Sequence, residues 1–355
     1  MQKEHLLILF GGQSSEHDVS CMSAVNVIRS VDKDRYDLIL VGITRQGRWV
    51  YVSNLYEIEN GSWEASPVTA VLSPDATKKC VYVIDTLRTR EFPVDLAFPV
   101  LHGLYGEDGT IQGIFELARI PYVGSGVLAS AVAMDKVYTK IIVNSLGGIR
   151  QAKSIWFRRE ELEKPEAVYR KIEKALSYPV FVKPSQSGSS VGVTKAIDRP
   201  TLELAIREAA RHDYKIIVEE AIQGRELECA VFGGNNRVVT SGVGEIVSAA
   251  EFYDYDAKYN NPASLTDTSP KLPEGVEERI RKMAERIFRA IDGFSLARVD
   301  FFMDKDGIVF NEINTMPGFT AISMYPMLFD RIGVSREQLV QDLLDTAGFR
   351  AVHEN

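Results

Sequence analysis

Apolar positions in the first third of the chain fall into strand-length runs separated by stretches with helical spacing. Residues 5–10 read as a buried strand closed by Gly11-Gly12, residues 15–30 as a helix, 36–43 as a second strand, 95–100 as a third and 109–118 as a helix. Such alternation predicts a doubly wound parallel sheet with helices on its faces. Residues 46–92 interrupt it as a meandering β insertion with turns at Gln46-Gly47, Asn60-Gly61 and Ser73-Pro74. A helix is expected over 127–146, ended by Gly147-Gly148. A smaller α+β segment follows, with a strand near Ser154, a helix over 160–176 and strands over 179–183 and 191–196 on either side of a glycine-serine loop. It continues with a helix capped by Asp198 and a strand over 215–219. The last part is strand-rich, then helical over 274–291, and ends in a helix near 336–346. The expected division is an N-terminal α/β domain over 1–124, a central α+β lid domain over 125–218 and a C-terminal α+β domain over 219–355.

Residues 298–314 of the last part read as a β-hairpin with polar residues on one face. Lys305-Asp306-Gly307 suits a three-residue turn with glycine in the left-handed position. With that loop Asp300 faces Glu312 and Arg298 faces Asn314, and side-chain alternation puts all four on one side. Val299, Phe301, Met303 and Ile313 take the other. Two adjacent carboxylates repel unless a cation lies between them. A hard divalent ion sharing its shell with phosphates fits that position, and the neighbouring arginine suits phosphate or an oxyanion. The competing reading is a solvated surface hairpin.

Composition narrows the function classes. The 355 residues are 45% hydrophobic and 25% charged, as in an ordinary globular protein. A net charge of −8 without a long basic run argues against general binding to nucleic acid or anionic membranes. Cys21, Cys80 and Cys229 are widely spaced and form no metal-type pair, which suits a reducing cytoplasmic setting. The N-terminal apolar run is too short for a signal peptide, and no stretch approaches the ~20 residues of a membrane span.

Several further segments carry candidate chemistry. Gly11-Gly12 leads into Glu16 at a helix start, where a carboxylate can cap the helix or hold an ammonium group; a G-x-G-x-x-G dinucleotide fingerprint is absent. The turn from Leu101 to Gly109 holds His102 and two acids beyond a strand C-terminus, where doubly wound sheets place ligands. Lys183 stands at the base of a loop rich in glycine and serine, including Ser189 and Ser190, whose small residues let backbone amides approach phosphate. Lys136 is a second candidate phosphate partner. Glu219, Glu220, Ala221 and Ile222 follow a buried strand and can read an adenine edge, with Glu226 placed for a ribose hydroxyl. Residues 251–273, including Lys258 and Tyr259, read as a long aromatic-rich lid. Gly318 and Ser323, beside Met324, can present an N–H and a hydroxyl to a carboxylate.

Together these motifs resemble the D-alanine–D-alanine ligases of the ATP-grasp family, in order and over nearly the whole chain. The resemblance implies a three-domain ATP-grasp enzyme of the cytoplasm, a likeness that extends to a homodimer and to a role in peptidoglycan precursor synthesis, cell wall biogenesis and cell shape. ATP phosphorylates the carboxylate of one D-alanine, the amine of a second attacks the acyl phosphate, and phosphate leaves. By resemblance Lys136, Lys183, Ser189 and Ser190 hold the nucleotide phosphates, and Glu219 to Ile222 with Glu226 surround adenosine. Asp300, Glu312 and Asn314 carry two Mg2+ ions, for which Mn2+ can substitute. Arg298 faces the transferring phosphoryl group. Glu16 binds the first amino group near His102, and Ser189 and Tyr259 join Glu16 in closing the lid. Gly318 and Ser323 receive the second substrate's carboxylate, with Lys258 and Met324 beside it.

The lid segment over 260–268 is more polar than the family pattern. Lys258-Tyr259 resembles the dipeptide-forming ligases rather than those making D-alanyl-D-lactate, and it does not separate D-alanine from D-serine; the apolar Met324 favours D-alanine. The alternatives are a D-alanine–D-serine ligase and a nucleotide-binding regulator without catalysis.

Overall fold

The computed structural model describes residues 3–234, 237–247 and 265–353. At its centre, β1 (Glu4–Gly11) pairs in parallel with β2 (Tyr36–Ile43) and β7 (Leu96–Pro99). β3 (Trp49–Val52), β4 (Thr69–Leu72), β5 (Cys80–Ile84) and β6 (Thr89–Pro93) extend the same sheet antiparallel beyond β2. The doubly wound parallel sheet is therefore limited to three strands. The rest is mixed because the short links between β2 and β6 cannot make the long crossover that parallel neighbours need. Along β1, Leu6, Ile8 and Phe10 enter one core, under the helix His17–Ser30, while Leu7 and Leu9 enter another, under Thr110–Ala118. Burial on both faces explains why this strand is a continuous apolar run.

The central sheet is antiparallel, ordered β10 (Thr194–Ala196), β9 (Val180–Pro184), β11 (Lys215–Glu220), β8 (Ser154–Arg158). Phe157, Val180, Val182, Ile216 and Val218 pack on the helices Pro165–Ala175 and Arg199–His212. Alternation leaves Phe181, Lys183 and Glu219 to a cleft on the opposite face. The third sheet runs β14 (Leu265–Asp267), β13 (Arg237–Val247), β12 (Arg225–Gly234), β15 (Ser295–Asp304), β16 (Gly307–Asn314). Its apolar face, with Leu227, Cys229, Val231, Val299 and Phe301, covers the helix Val276–Ala290. The helices Met324–Arg331 and Arg336–His353 contribute Tyr325, Leu328, Leu339 and Leu343 to the core that also holds Ile8 and Phe10, which ties the end of the chain to its first sheet.

Two local expectations are corrected. The β15–β16 hairpin turns through two residues, Lys305 and Asp306, between the paired Asp304 and Gly307, not three. The backbone N–H of Asp306 donates to Asp304 Oδ1 at 2.8 Å, and Gly307, at the start of β16, has the positive φ, +121°, that residues with a Cβ rarely adopt. A two-residue turn alone would slip the register by one. A bulge at Asn311 restores it, since Phe301 pairs with Phe310 but Asp300 pairs with Glu312. Phe301 and Phe310 thereby share the core, with ring centroids 6.1 Å apart, while Asp300 and Glu312 share the cleft.

The helix expected over 127–146 is broken into Val127–Met134 and Lys136–Ser145 by Asp135, which is extended at φ −90°, ψ 101°. The Asp135 carboxylate accepts from the N–H groups of Val137 and Tyr138. Aspartate favours such a cap over the interior of a continuous helix.

Candidate active site

A cleft of about 470 Å³ lies between the central and third sheets and is closed at one end by turns of the first. All of the predicted site residues among those described line it; Lys258 and Tyr259 lie outside the described residues.

The central-sheet wall carries the cations. Lys183 Nζ lies 2.7 Å from Glu219 Oε2, and Lys140 Nζ lies 2.9 Å from Glu219 Oε1. Burial pushes the Glu219 carboxyl up, but Lys140 and Lys183 outweigh it and hold the group down at about 2. Burial likewise acts to lower Lys183, and Glu219 beside it keeps the ammonium above its ordinary value. Lys136 Nζ donates to the carbonyl of Ser187 at 2.7 Å and lies 3.8 Å from Glu312 Oε2, so it bridges the glycine-serine loop and the opposite wall. In that loop Ser189 and Ser190 adopt φ +47° and +57°, conformations unusual for residues with a Cβ.

The third-sheet wall carries the acids and the arginine. Arg298 Nε and Nη2 each lie 2.7 Å from an oxygen of Asp300, and Nε lies 3.1 Å from Glu228 Oε2. Asn314 Nδ2 donates to Asp300 Oδ2 at 3.0 Å. Asp300, Glu312 and the Asn314 amide form an oxygen-bearing set that fits a hard divalent cation. Among the described residues no group of three or more His, Cys, Asp or Glu side chains closes a metal cage. A cation here would complete its shell with phosphate oxygens and water, as Mg2+ does.

The end of the cleft is built from three segments. A Cβ added at Gly188 would lie 2.9 Å from Glu16 Oε2 and 3.7 Å from Gly103 Cα, so the glycine lets the loop close over this carboxylate. His102 is 4% exposed, and burial lowers its pKa. Its neutral ring has Nδ1 2.8 Å from the Met316 carbonyl and Nε2 3.2 Å from Ser23 Oγ. Nδ1–H therefore donates and Nε2 accepts, and the residue serves as a strut. Ser23 Oγ also accepts from the N–H of Phe319 at 3.0 Å, which fixes the turn carrying Gly318. Ser323 is the N-cap of Met324–Arg331, and its Oγ accepts from the Thr320 N–H at 2.9 Å.

The adenosine segment is partly committed to structure. Glu219 spends its side chain on the lysines, Glu220 accepts from the Lys153 N–H at 2.9 Å, and the Ala221 N–H donates to the Pro179 carbonyl at 3.2 Å. Phe181, Ile222 and Phe302 supply apolar lining to the same cleft, as a planar base requires.

Sequence reasoning missed Lys140 and Glu228, and read Glu107 only as one of two acids in a ligand-bearing turn. Lys140 was detectable from its i,i+4 spacing to Lys136 on a helix. Long-range contacts give Glu107 and Glu228 their places. Glu107 accepts from the N–H of Gly103 at 3.0 Å and of Met316 at 3.2 Å. Burial, then the Glu16 charge, pushes its carboxyl up to about 8. The folded state thus binds the extra proton between about 4.5 and 8, and this contribution to stability is lost as pH rises through that window. The stability of the wild type relative to Glu107→Gln is expected to fall between pH 5 and 8 in urea melts. A difference independent of pH contradicts the raised value.

The two matching family models are described as "D-ala D-ala ligase N-terminus", over residues 5–125, and "D-ala D-ala ligase C-terminus", over 143–345. The D-alanine--D-alanine ligase of Acetivibrio thermocellus is 47% identical, the alignment covering 97% of this chain and 96% of the relative. That of Ruminiclostridium cellulolyticum is 46% identical over 98% and 96%. Among solved structures, the VanG D-Ala:D-Ser ligase from Enterococcus faecalis superposes with a TM-score of 0.88 at 40% identity, covering 98% of this chain and all of that one. The D-alanine-D-alanine ligase from Coxiella burnetii gives 0.86 at 33% identity, over 100% and 96%.

Proposed function

The chain belongs to the D-alanine–D-alanine ligase family, and from that premise we propose that it joins two D-alanine molecules at the expense of ATP, for peptidoglycan precursor synthesis. One observation carries this reading. Lys136 and Lys183 on one side of a single cleft oppose the set formed by Arg298, Asp300, Glu312 and Asn314 on the other. A protein that only senses nucleotide has no need of such a charge-neutralising pair of walls.

Lys136, Lys183 and the Ser189–Ser190 loop hold the triphosphate, while residues 219–222 and Glu226 form the nucleoside end. Asp300, Glu312 and Asn314 would hold two Mg2+ ions, or Mn2+ in their place, and such ions would supply neutralisation of the phosphate charge. Glu16 binds the ammonium of the first D-alanine and leaves its carboxylate to attack phosphorus, releasing ADP. Gly318 N–H and the Ser323 hydroxyl receive the carboxylate of the second D-alanine at a helix N-terminus. The second amine, once deprotonated, attacks the acyl carbon. Arg298 stabilises the oxyanion of the tetrahedral intermediate, from which phosphate leaves. Glu16, Ser189 and Tyr259 close the lid and keep water from the acyl phosphate. Met324 forms an apolar wall at the second site and favours a methyl over a hydroxymethyl side chain.

The division at 124 and 218, a cytoplasmic location and a homodimer belong to the same reading. No helix among the described residues is long and apolar enough to cross a membrane.

Phosphate release coupled to product mass tests this function. With D-alanine alone, release is expected together with the mass of D-alanyl-D-alanine. The resemblance to VanG makes D-serine the informative competitor. A predominant mixed dipeptide from an equimolar mixture would reassign the second substrate. Bound ATP without phosphate release for any D-amino acid would reduce the protein to a nucleotide sensor.

A further inference from the structure

We propose that Asp135 is a positioning residue that locks the base of the glycine-serine loop to the helix presenting Lys136, so that loop closure and lysine placement occur together. The proposal rests on the reading of Lys136 as a phosphate ligand and concerns how that ligand is held. Asp135 is 1% exposed and receives donors from three separate elements. Lys215 Nζ on β11 lies 2.5 Å from Oδ2. From the loop base, Ser185 Oγ donates to Oδ1 at 2.7 Å and Gln186 Nε2 donates to Oδ2 at 3.0 Å. From its own helix the N–H groups of Val137 and Tyr138 reach Oδ1 at 3.1 and 3.2 Å.

The backbone continues the connection. The Lys136 N–H donates to the Ser185 carbonyl at 3.0 Å, and Lys136 Nζ reaches the Ser187 carbonyl at 2.7 Å. The Lys215 ammonium also lies over the Tyr138 ring, 4.0 Å from nitrogen to centroid. A buried ion pair is a poor source of net stability, because desolvation offsets most of the attraction. Its value lies in geometry, since five donors converging on one carboxylate allow few alternative arrangements of loop and helix. Asp135 touches neither the cleft's acids nor its arginine, so its effect reaches the reaction only through Lys136 and the loop.

The test compares KM for ATP, kcat and KM for D-alanine in the wild type, Asp135→Asn, Lys136→Met and the double variant. Asparagine keeps the helix cap and the volume but removes the charge facing Lys215. Asp135→Asn is expected to raise KM for ATP on the order of tenfold, by loss of coupling between contacting groups. Its kcat should stay within about twofold and KM for D-alanine should be unchanged, with the Lys136→Met double variant no worse than Lys136→Met alone. Ser185→Ala removes a single donor from the loop side, avoids disrupting the buried pair, and should give a smaller rise that also vanishes in the Lys136→Met background. Effects that multiply in the double variants, or that fall on kcat and both KM values alike, overturn the coupling and leave a purely structural role. If Lys136→Met itself leaves KM for ATP unchanged, the phosphate assignment of Lys136 fails first, and the proposal with it.

Discussion

Replacing Arg298 by alanine is expected to lower turnover by ~10²-fold or more while leaving KM for ATP nearly unchanged, the size of effect seen when an oxyanion donor is lost. The guanidinium is largely buried, held at 2.7 Å by both oxygens of Asp300 and at 3.1 Å by Glu228. That clamp restrains it before any substrate arrives, which is what electrostatic preorganisation requires. Arg298→Ala also leaves Asp300 and Glu228, cross-strand partners on β15 and β12, without the cation between them. Arg298→Lys separates the two consequences, because it keeps the charge and loses the planar fork. Stopped assays at saturating ATP and D-alanine, read beside a thermal melt, give the answer. Full turnover in a folded alanine variant removes Arg298 from the chemistry.

Glu219→Gln is expected to cost about 3–5 kcal/mol of stability at pH 7, the usual penalty for removing one partner from a buried charge cluster. The loss arises because Lys140 and Lys183, both within 3 Å of the Glu219 carboxylate, would then face each other with no anion between them. The pH dependence has a definite sign. The Glu219 carboxyl is lowered from 4.5 to about 2, so the unfolded chain binds the extra proton between those values. Its contribution is complete above about 4.5 and lost as pH falls through about 2. Urea melts at pH 7 and pH 3 should show the gap between wild type and variant narrowing in acid. A constant gap would mean that packing, not charge, accounts for the loss. The same variant should weaken ATP binding, because Lys183 loses the carboxylate that holds it at the cleft wall.

The site was largely legible in the chain, for reasons that differ by residue. Arg298, Asp300, Glu312 and Asn314 lie on short β-prone segments, where alternation alone assigns a face. Their common face was correctly anticipated although the turn was not. The hairpin is one residue shorter than expected, and the bulge at Asn311 compensates for it. Packing of Phe301 against Phe310 selects that bulge, a long-range requirement that turn propensities do not contain. The break at Asp135 was hidden for a similar reason. A single aspartate in an apolar helical pattern signals a cap weakly, and Lys215, 80 positions away, completes its surroundings.

The roles of Glu219 and Glu107 were the least legible. The sequence offered the backbone of the segment at Glu219 as a nucleotide-binding edge, and gave no sign that its carboxylate pairs with two lysines from other elements. Glu107 was one of two acids in a glycine-rich turn. Its raised pKa comes from burial against Glu16 and Glu312, which separate segments supply.

Local alternation, glycine placement and the order of charged motifs in the sequence by themselves determined the class of fold, the family and many of the described residues that meet in the cleft. These are properties of neighbouring positions or of a one-dimensional pattern. Tertiary structure alone decided the antiparallel extension of the first sheet, the compensating bulge, the break at Asp135 and the pairing of each buried charge. Each of these is set by desolvation and packing between segments distant in the chain, and the cost of burying a charge depends on which partner arrives, which no local pattern encodes.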